Sequence, residues 1–166
     1  MQSVVRFVRP GGGLVEFSPL VVATLRSMRQ VDEASLEAGG VLLGRLIEGS
    51  LDVVVDEITT PGPADERSRY AFKRSRKSAQ PRVTQAWSES AGTRIYLGDW
   101  HSHPEDEPTP SSVDRRDWAN TLRQATYEQD FLLFAIVGRR CTALWEVRDA
   151  VSRAAWLREC TSSAAD

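Results

Sequence analysis

The two histidines of this chain stand two residues apart, at the end of a segment rich in β-forming residues that closes in the run Gly98–Pro104. Side chains of a strand alternate between its two faces, so His101 and His103 are expected to point to the same side. Imidazole nitrogens are common zinc ligands. Because the chain has no other histidine, the pattern favours a shared metal ion over two unrelated histidines.

A carboxylate that could complete such a site follows the proline-rich segment after His103. Ser111 and Asp114 form a Ser-x-x-Asp pattern typical of a helix capping box. Asp114 also heads a helical stripe that continues through Trp118 and Leu122, so it is predicted to face inward. A buried carboxylate is costly unless it is paired or binds a metal. Two imidazoles and one carboxylate form the open three-ligand set of a hydrolytic zinc site, with water as the fourth ligand.

Other carboxylates compete for the role of third ligand. Asp117 lies one helical turn beyond Asp114, and Glu105, Asp106 and Glu107 directly follow the histidines. The three loop acids are expected to be solvated, which favours Asp114, but the spacing leaves all of these residues open.

An acidic residue upstream could move a proton at this site. Glu37 stands just before a buried strand and is followed by Gly39 and Gly40, which would allow close approach of backbone and substrate. A carboxylate near a zinc-activated water can take its proton and deliver it to a leaving amine. Considered alone, this segment indicates only an acid in a loop.

Taken together, these residues resemble the JAMM (JAB/MPN-plus) metalloprotease family over about residues 4–147. The shared pattern is Glu37 before a strand, then His101-Ser102-His103, seven residues, Ser111, two residues and Asp114. The resemblance implies one Zn2+ ion held by both histidines and Asp114. It also implies that Glu37 acts as general base and then acid, and that Ser111 donates a hydrogen bond to the tetrahedral intermediate. The second structural zinc of some relatives is not expected, because the chain has no spare histidine.

The segments YLGDWHSHPEDEPTPSSVD and EAGGVLLG resemble the compact prokaryotic branch of that family. This resemblance implies a protein substrate with an extended C-terminal tail. The tail would belong to a ubiquitin-like protein or to a conjugated cGAS-like nucleotidyltransferase in anti-phage defence of the CBASS type. Three alternatives stay open: C-terminal processing of a sulfur-carrier protein, a metal-free scaffold of the same fold, and a relative associated with DNA repair.

Length and composition limit the class of protein. The 166 residues, 41% of them hydrophobic, suffice for one domain with a core, expected over residues 1–160 with a flexible tail at 161–166. The formal net charge of −2 argues against a nucleic-acid partner, and no apolar run is long enough to cross a bilayer. No export signal is recognised, and the two cysteines, Cys141 and Cys160, show no metal or nucleophile pattern. A reducing cytoplasm is therefore expected.

The hydrophobic patterns predict an α/β fold with a single mixed, largely antiparallel sheet flanked by helices. The resemblance adds that this is the cytidine-deaminase-like, or MPN, fold. Helices are expected over 19–30, 79–90, 111–125 and 150–159. Strands are expected over 4–8, 14–17, 41–47, 51–59, 70–73, 94–103, 131–137 and 142–147.

Two further features have ordinary interpretations. A basic cluster is interpreted as a solvated loop and strand edge, with a docking face for an acidic partner as the alternative; its members are Arg67, Arg69, Lys73, Arg74, Arg76 and Lys77. The tryptophans are expected to lie mostly in the core; they are Trp87, Trp100, Trp118, Trp145 and Trp156.

Overall fold

A computed structural model describes residues 3–160, apart from the side chain of Arg76, and the expected tail at 161–166 lies outside the described residues. Eight strands form one sheet in the order β1-β2-β4-β3-β7-β8-β9-β10, and β5 and β6 form a separate hairpin. The strands are β1 (Val5–Val8), β2 (Leu14–Phe17), β3 (Gly39–Leu46), β4 (Val53–Ile58), β5 (Glu66–Arg67), β6 (Phe72–Lys73), β7 (Ile95–Ser102), β8 (Leu132–Val137), β9 (Thr142–Val147) and β10 (Ala155–Leu157). The helices are α1 (Pro19–Ser27), α2 (Arg76–Glu89) and α3 (Ser112–Gln124).

The sheet is mixed but largely antiparallel, which confirms the predicted fold class. Among the strands that the structure describes, only the β2–β4 and β7–β8 pairs are parallel. Helix α1 packs on one face through Val21 and Leu25, whereas α2 and α3 pack on the other. Trp100 belongs to the α1 side, so it points away from the histidines, as the strand alternation predicts.

A bulge in β7 arranges the face on which α2 and α3 pack. Leu42 pairs with Gly98 but Leu43 pairs with Tyr96, so β7 carries one extra residue. Gly98 has φ +147°, and a Cβ there would overlap the carbonyl of Leu133. The shift places Tyr96 on the same side as Asp99, whose carboxylate accepts a hydrogen bond from the Tyr96 hydroxyl at 2.9 Å.

The C-terminal segment links the two edges of the sheet, and the helix predicted over 150–159 is wrong. β10 pairs with β9, and beyond it Val8 N donates to Arg158 O at 2.9 Å and Cys160 N donates to Arg6 O at 2.7 Å. Leu157 is buried, whereas its neighbour Trp156 is exposed. The alternating burial and the strand pairing override the helix propensity of this Ala- and Arg-containing segment.

Other differences from the predicted elements are small. α1 ends at Ser27, three residues early, and α2 begins at Arg76, where the Ser75 hydroxyl accepts a hydrogen bond from Lys77 N. The strand predicted over 70–73 is β6, and the sequence analysis did not predict β5, the strand that pairs with it. Trp87, like Trp156, is exposed, and the other three tryptophans are buried.

Two further observations concern the cysteines and the membrane. Cys141 and Cys160 are both free thiols. Among the described residues, no helix combines the length and the apolar character needed to span a bilayer.

Candidate metal centre

The end of β7 and the first turn of α3 bring two histidines and an aspartate together. The Nε2 atoms of His101 and His103 lie 3.0 Å apart. His101 Nε2 lies 3.1 Å from Asp114 Oδ1, and His103 Nε2 lies 3.2 Å from Asp114 Oδ2. The backbone N–H of His103 donates to Val137 O at 3.0 Å, which fixes the strand end against β8. The structure therefore brings together three donors that the sequence separates by up to thirteen residues.

Glu37 faces the same point from the start of β3. Its carboxylate and the two histidine nitrogens lie within 4.8 Å of one another. Two donor sets are therefore possible: the histidines with Asp114, or the histidines with Glu37. The Asp114 set is the tighter one, and the longer reach to Glu37 is a distance that one bridging water can span.

The chemistry of the donor set fits a zinc ion. Zinc bonds of about 2.0–2.1 Å in tetrahedral geometry separate their donors by roughly 3.3 Å. The observed separations of 3.0–3.2 Å come close to that value. His103 Nδ1 lies 2.7 Å from Glu105 Oε1, and a proton on Nδ1 leaves the lone pair of Nε2 free for a metal.

The protonation states in the metal-free chain follow from these contacts. Burial alone would raise the pKa of Asp114, but hydrogen bonds from both histidine rings and from Ser111 N hold that pKa well below its usual range. Burial would lower the pKa of His103, but hydrogen bonds to Asp114 and Glu105 outweigh it and raise the pKa. The site therefore favours an ionised aspartate beside the rings, the form that binds a cation.

Backbone hydrogen bonds hold Glu37 in place, and its carboxyl group is buried beside the cleft. Glu37 N donates to Ser68 O at 2.7 Å, and Arg67 Nε donates to Glu37 O at 2.9 Å. The side chain is only 5% exposed. Burial raises its pKa to about 7, an effect that the nearby His103 charge partly offsets. A carboxyl group with this pKa suits proton transfer near neutral pH.

Ser111 caps α3, as the sequence predicts. Its hydroxyl accepts a hydrogen bond from Asp114 N at 3.1 Å, and Ser111 N donates to Asp114 Oδ2 at 2.8 Å. The capping box therefore also orients the Asp114 carboxylate toward the histidines. In this arrangement the Ser111 oxygen acts as an acceptor, so its own hydrogen is available to another group.

The other carboxylates considered as the third ligand make different contacts or are exposed. Asp106 pairs with Arg139 at 2.9 Å, and Glu107 is exposed. Asp117 lines the adjoining cleft. Glu105 contacts the far nitrogen of His103, a positioning contact that the sequence analysis missed, although its i+2 spacing from His103 could have indicated it.

A cleft of about 750 Å3 leads to this site. One wall is the segment 66–74, which contains the β5–β6 hairpin, and the other is α3, with Asp117, Thr121 and Gln124. The basic cluster contributes to the first wall, and two of its members form contacts within the chain. Arg69 Nη1 donates to Asp32 O, and Arg74 pairs with Asp99 at 3.3 Å. The Asp99–Arg74 pair is a second feature that residue spacing does not reveal.

Both of the paired glycines, Gly39 and Gly40, pack closely against other parts of the chain. Gly40 lines the cleft. A Cβ on Gly39 would overlap the Phe72 ring and a Cβ on Gly40 would overlap the Thr59 carbonyl. The close approach that these glycines permit is therefore to other parts of the same chain.

The strand-end histidines and the helix-start aspartate thus form a candidate metal centre at the end of β7. The family model described as prokaryotic homologs of the JAB domain matches residues 22–157. The chain belongs to this family, which confirms the resemblance noted from its motifs.

Relatives of assigned function support the same class. The chain is 41% identical over 120 residues to a CD-NTase/cGAS isopeptidase of Vibrio cholerae serotype O1, covering 72% of this chain and 73% of that protein. It is 37% identical over 126 residues to a CD-NTase/cGAS isopeptidase of Pseudomonas aeruginosa, covering 76% and 78%. A Desulfitobacterium hafniense protein solved in solution has the same fold, with a TM-score of 0.53, 20% identity and 83% coverage of each chain.

Proposed function

We propose that this protein is a zinc-dependent isopeptidase that releases a conjugated CD-NTase, a cGAS-like nucleotidyltransferase, from its targets. The bond cut would join the C-terminal carboxyl of the CD-NTase to an amine of another protein. The names of the Vibrio cholerae and Pseudomonas aeruginosa relatives support this substrate class. A role in anti-phage defence in the cytoplasm is part of this proposal, and two free thiols are compatible with that location.

The metal would be held by His101, His103 and Asp114. When bound there, zinc supplies a Lewis acid that lowers the pKa of a water molecule to about 7. Asp114 contributes negative charge to the donor set, and its capping contacts with Ser111 hold both of its oxygens toward the rings.

Glu37 would move the proton. As the water oxygen attacks the carbonyl carbon, Glu37 accepts a proton from it, and the carboxylate becomes a carboxylic acid. Glu37 then donates this proton to the leaving nitrogen as the carbon–nitrogen bond breaks, which yields a free carboxyl group and an amine. Ser111 would donate its hydroxyl hydrogen to the oxyanion that develops on the substrate.

The cleft would receive the tail of the substrate. An extended C-terminal tail fits a groove between a hairpin and a helix, since main-chain pairing suits a flexible terminus. Phe72 and Lys73 of β6 lie on the hairpin wall, so this strand is the element beside which the tail is expected to lie.

One observation carries the proposal: the donor atoms of three side chains approach one another to 3.0–3.2 Å, and a buried carboxylate stands within 4.8 Å of the two histidine nitrogens. This arrangement can hold a metal and a proton acceptor at one point. It argues against the metal-free scaffold, which has no need of both.

A cleavage assay tests the proposal. The substrate is a Vibrio cholerae CD-NTase whose C-terminal carboxyl is joined to a lysine amine of a carrier peptide. We expect the wild-type chain with zinc to release the peptide, and Glu37→Ala and His103→Ala each to lose about 10²-fold or more in rate. Glu33→Ala, which removes an exposed carboxylate outside the cleft lining, serves as the matched control and should cleave at the wild-type rate. Wild-type-like cleavage by Glu37→Ala would contradict the assignment of the proton carrier, and no cleavage by the wild type would contradict the function.

A further inference from the structure

Two polar side chains are fully buried behind the candidate site without a role in the scheme above. Gln30 follows α1 and is 1% exposed, and Ser102 lies between the two histidines and is 0% exposed. The Ser102 hydroxyl donates to Gln30 Oε1 at 2.8 Å. Burial of such groups is costly unless their hydrogen bonds are satisfied, so these contacts define one arrangement.

Ser102 fixes the residue next to Glu37. Its hydroxyl accepts a hydrogen bond from Ala38 N, and Ser102 N donates to Ala38 O, both at 2.9 Å. Ser102 thus binds both backbone polar groups of Ala38. Because Ser102 lies between the two histidines, these bonds set the distance from the histidine strand to the Glu37 segment.

Gln30 extends the same network to the cleft wall. Its Nε2 donates to Arg69 O at 2.7 Å and to Ser35 O at 3.3 Å. Arg69 follows Ser68, whose carbonyl accepts from Glu37 N. Gln30 therefore contacts all three segments that surround Glu37: the histidine strand through Ser102, the loop before Glu37 through Ser35, and the hairpin through Arg69.

We propose that Gln30 is a positioning residue for the reaction, an inference that rests on the proposed function. Acting through Ser102 and Arg69, Gln30 fixes the Glu37 carboxylate relative to the histidine rings. It touches neither substrate nor metal. Its contribution falls on the catalytic step, because a misplacement of about 1 Å in a reacting group can cost about 10²-fold in rate.

The test compares kcat, KM and bound zinc in variants of the full chain, with the CD-NTase–peptide conjugate as substrate. Gln30→Met keeps the length of the side chain and removes its hydrogen bonds, and Ser102→Ala removes the partner. We expect each to lower kcat about tenfold or more, with KM and bound zinc changed less than about threefold. The loss of kcat in the double variant should be smaller than the product of the two single losses, since the two side chains share the Ser102–Gln30 hydrogen bond.

Val22→Ala, in the core on α1, is the control for general destabilisation, and its kcat should stay within about threefold of the wild type. A Gln30→Met kcat equal to that of Val22→Ala, or a loss located in zinc binding, would overturn the inference. If Gln30→Met fails to fold, the kcat of Ser102→Ala is compared with that of Val22→Ala instead, and equal values would overturn the inference. Absence of cleavage by the wild type would refute the proposed function together with this inference, whereas full activity of both variants would refute this inference alone.

Discussion

At the scale of single residues, Glu37 combines deep burial with a carboxyl group. Its neighbours at the site are paired: Asp114 with the histidines and Glu105 with His103. Its pKa in the metal-free chain is raised to about 7 chiefly because burial disfavours the charged form. The same burial that suits Glu37 to proton transfer therefore makes it a destabilising residue whenever it is ionised.

This cost predicts a pH-dependent gain from Glu37→Gln in the metal-free chain. Between pH 4.5 and about 7 the folded chain holds a proton on Glu37 that the unfolded chain has lost, so wild-type stability falls as pH rises. The variant does not titrate there. Its advantage in free energy of unfolding should grow across this interval and level off above it, reaching at most about 3 kcal/mol.

Urea unfolding in the presence of a chelator, at several pH values from 4.5 to 8.5, measures this difference. Glu33→Gln makes the same change of side chain at an exposed position and is the matched control. A Glu37→Gln advantage that is the same at all pH values would contradict the burial of an ionisable Glu37.

The residue scale also shows what the sequence could predict. The spacing of His101 and His103 predicted that their rings lie together, and the Ser111–Asp114 pattern predicted the helix cap, because strand alternation and the first turn of a helix are local properties. The spacing alone left open which carboxylate faces the rings. The contact of Gln30 with Ser102 could not be predicted from the sequence, because the two residues lie 72 positions apart. No short-range pattern distinguishes a glutamine that supports a site from one on the surface.

At the scale of elements, the start of α3 has two functions. The capping box stabilises the helix and also aims the Asp114 carboxylate at the histidines. Ser111 therefore contributes to stability through its oxygen and, in the proposed mechanism, to the reaction through its hydrogen.

Substitutions at Ser111 should separate these two contributions. Ser111→Ala should cost about 1 kcal/mol of stability, whereas Ser111→Gly should cost only a few tenths, because glycine is tolerated as an N-cap. Both lack the hydroxyl, so both should lose about 10²-fold in kcat. Thermal unfolding and the cleavage assay on the same samples measure the two effects. Wild-type kcat in Ser111→Gly would show that the hydroxyl acts only as a cap.

The elements were predictable where burial pattern and pairing agree with local propensity. The continuous apolar run of β8 and the Ser18-Pro19 start of α1 are such cases. β10 was missed, because its residues favour a helix locally and become a strand only through pairing with β9 and contact with β1. The β7 bulge was also missed, since Gly98 gives no sign in sequence of which neighbour it approaches.

At the scale of the whole molecule, residues 155–160 connect the last strand to the first. This closure protects the edge of β1 and places the C-terminal segment within the core, so the segment is part of the domain proposed over residues 1–160. β3 and β7, which carry the site, are the two central strands of the sheet, whereas this segment lies at its edges.

Two neighbouring substitutions test whether this closure supports the fold. Leu157→Ala, at a position 1% exposed, should lower the free energy of unfolding by about 2–4 kcal/mol. Trp156→Ala, which removes the larger side chain at a position 63% exposed, should cost less than about 1 kcal/mol. Urea unfolding measures both. A larger loss for Trp156→Ala than for Leu157→Ala would contradict the arrangement of β10.

The central claim concerns which side chains hold the metal, and zinc content measures it most directly. Chains equilibrated with excess zinc and then freed of unbound ion are analysed by elemental mass spectrometry. We expect one zinc per chain in the wild type, in Glu37→Ala and in the cleft control Asp117→Ala, and a loss of zinc in His101→Ala and Asp114→Ala. Retention of zinc by Asp114→Ala together with its loss from Glu37→Ala would contradict the account.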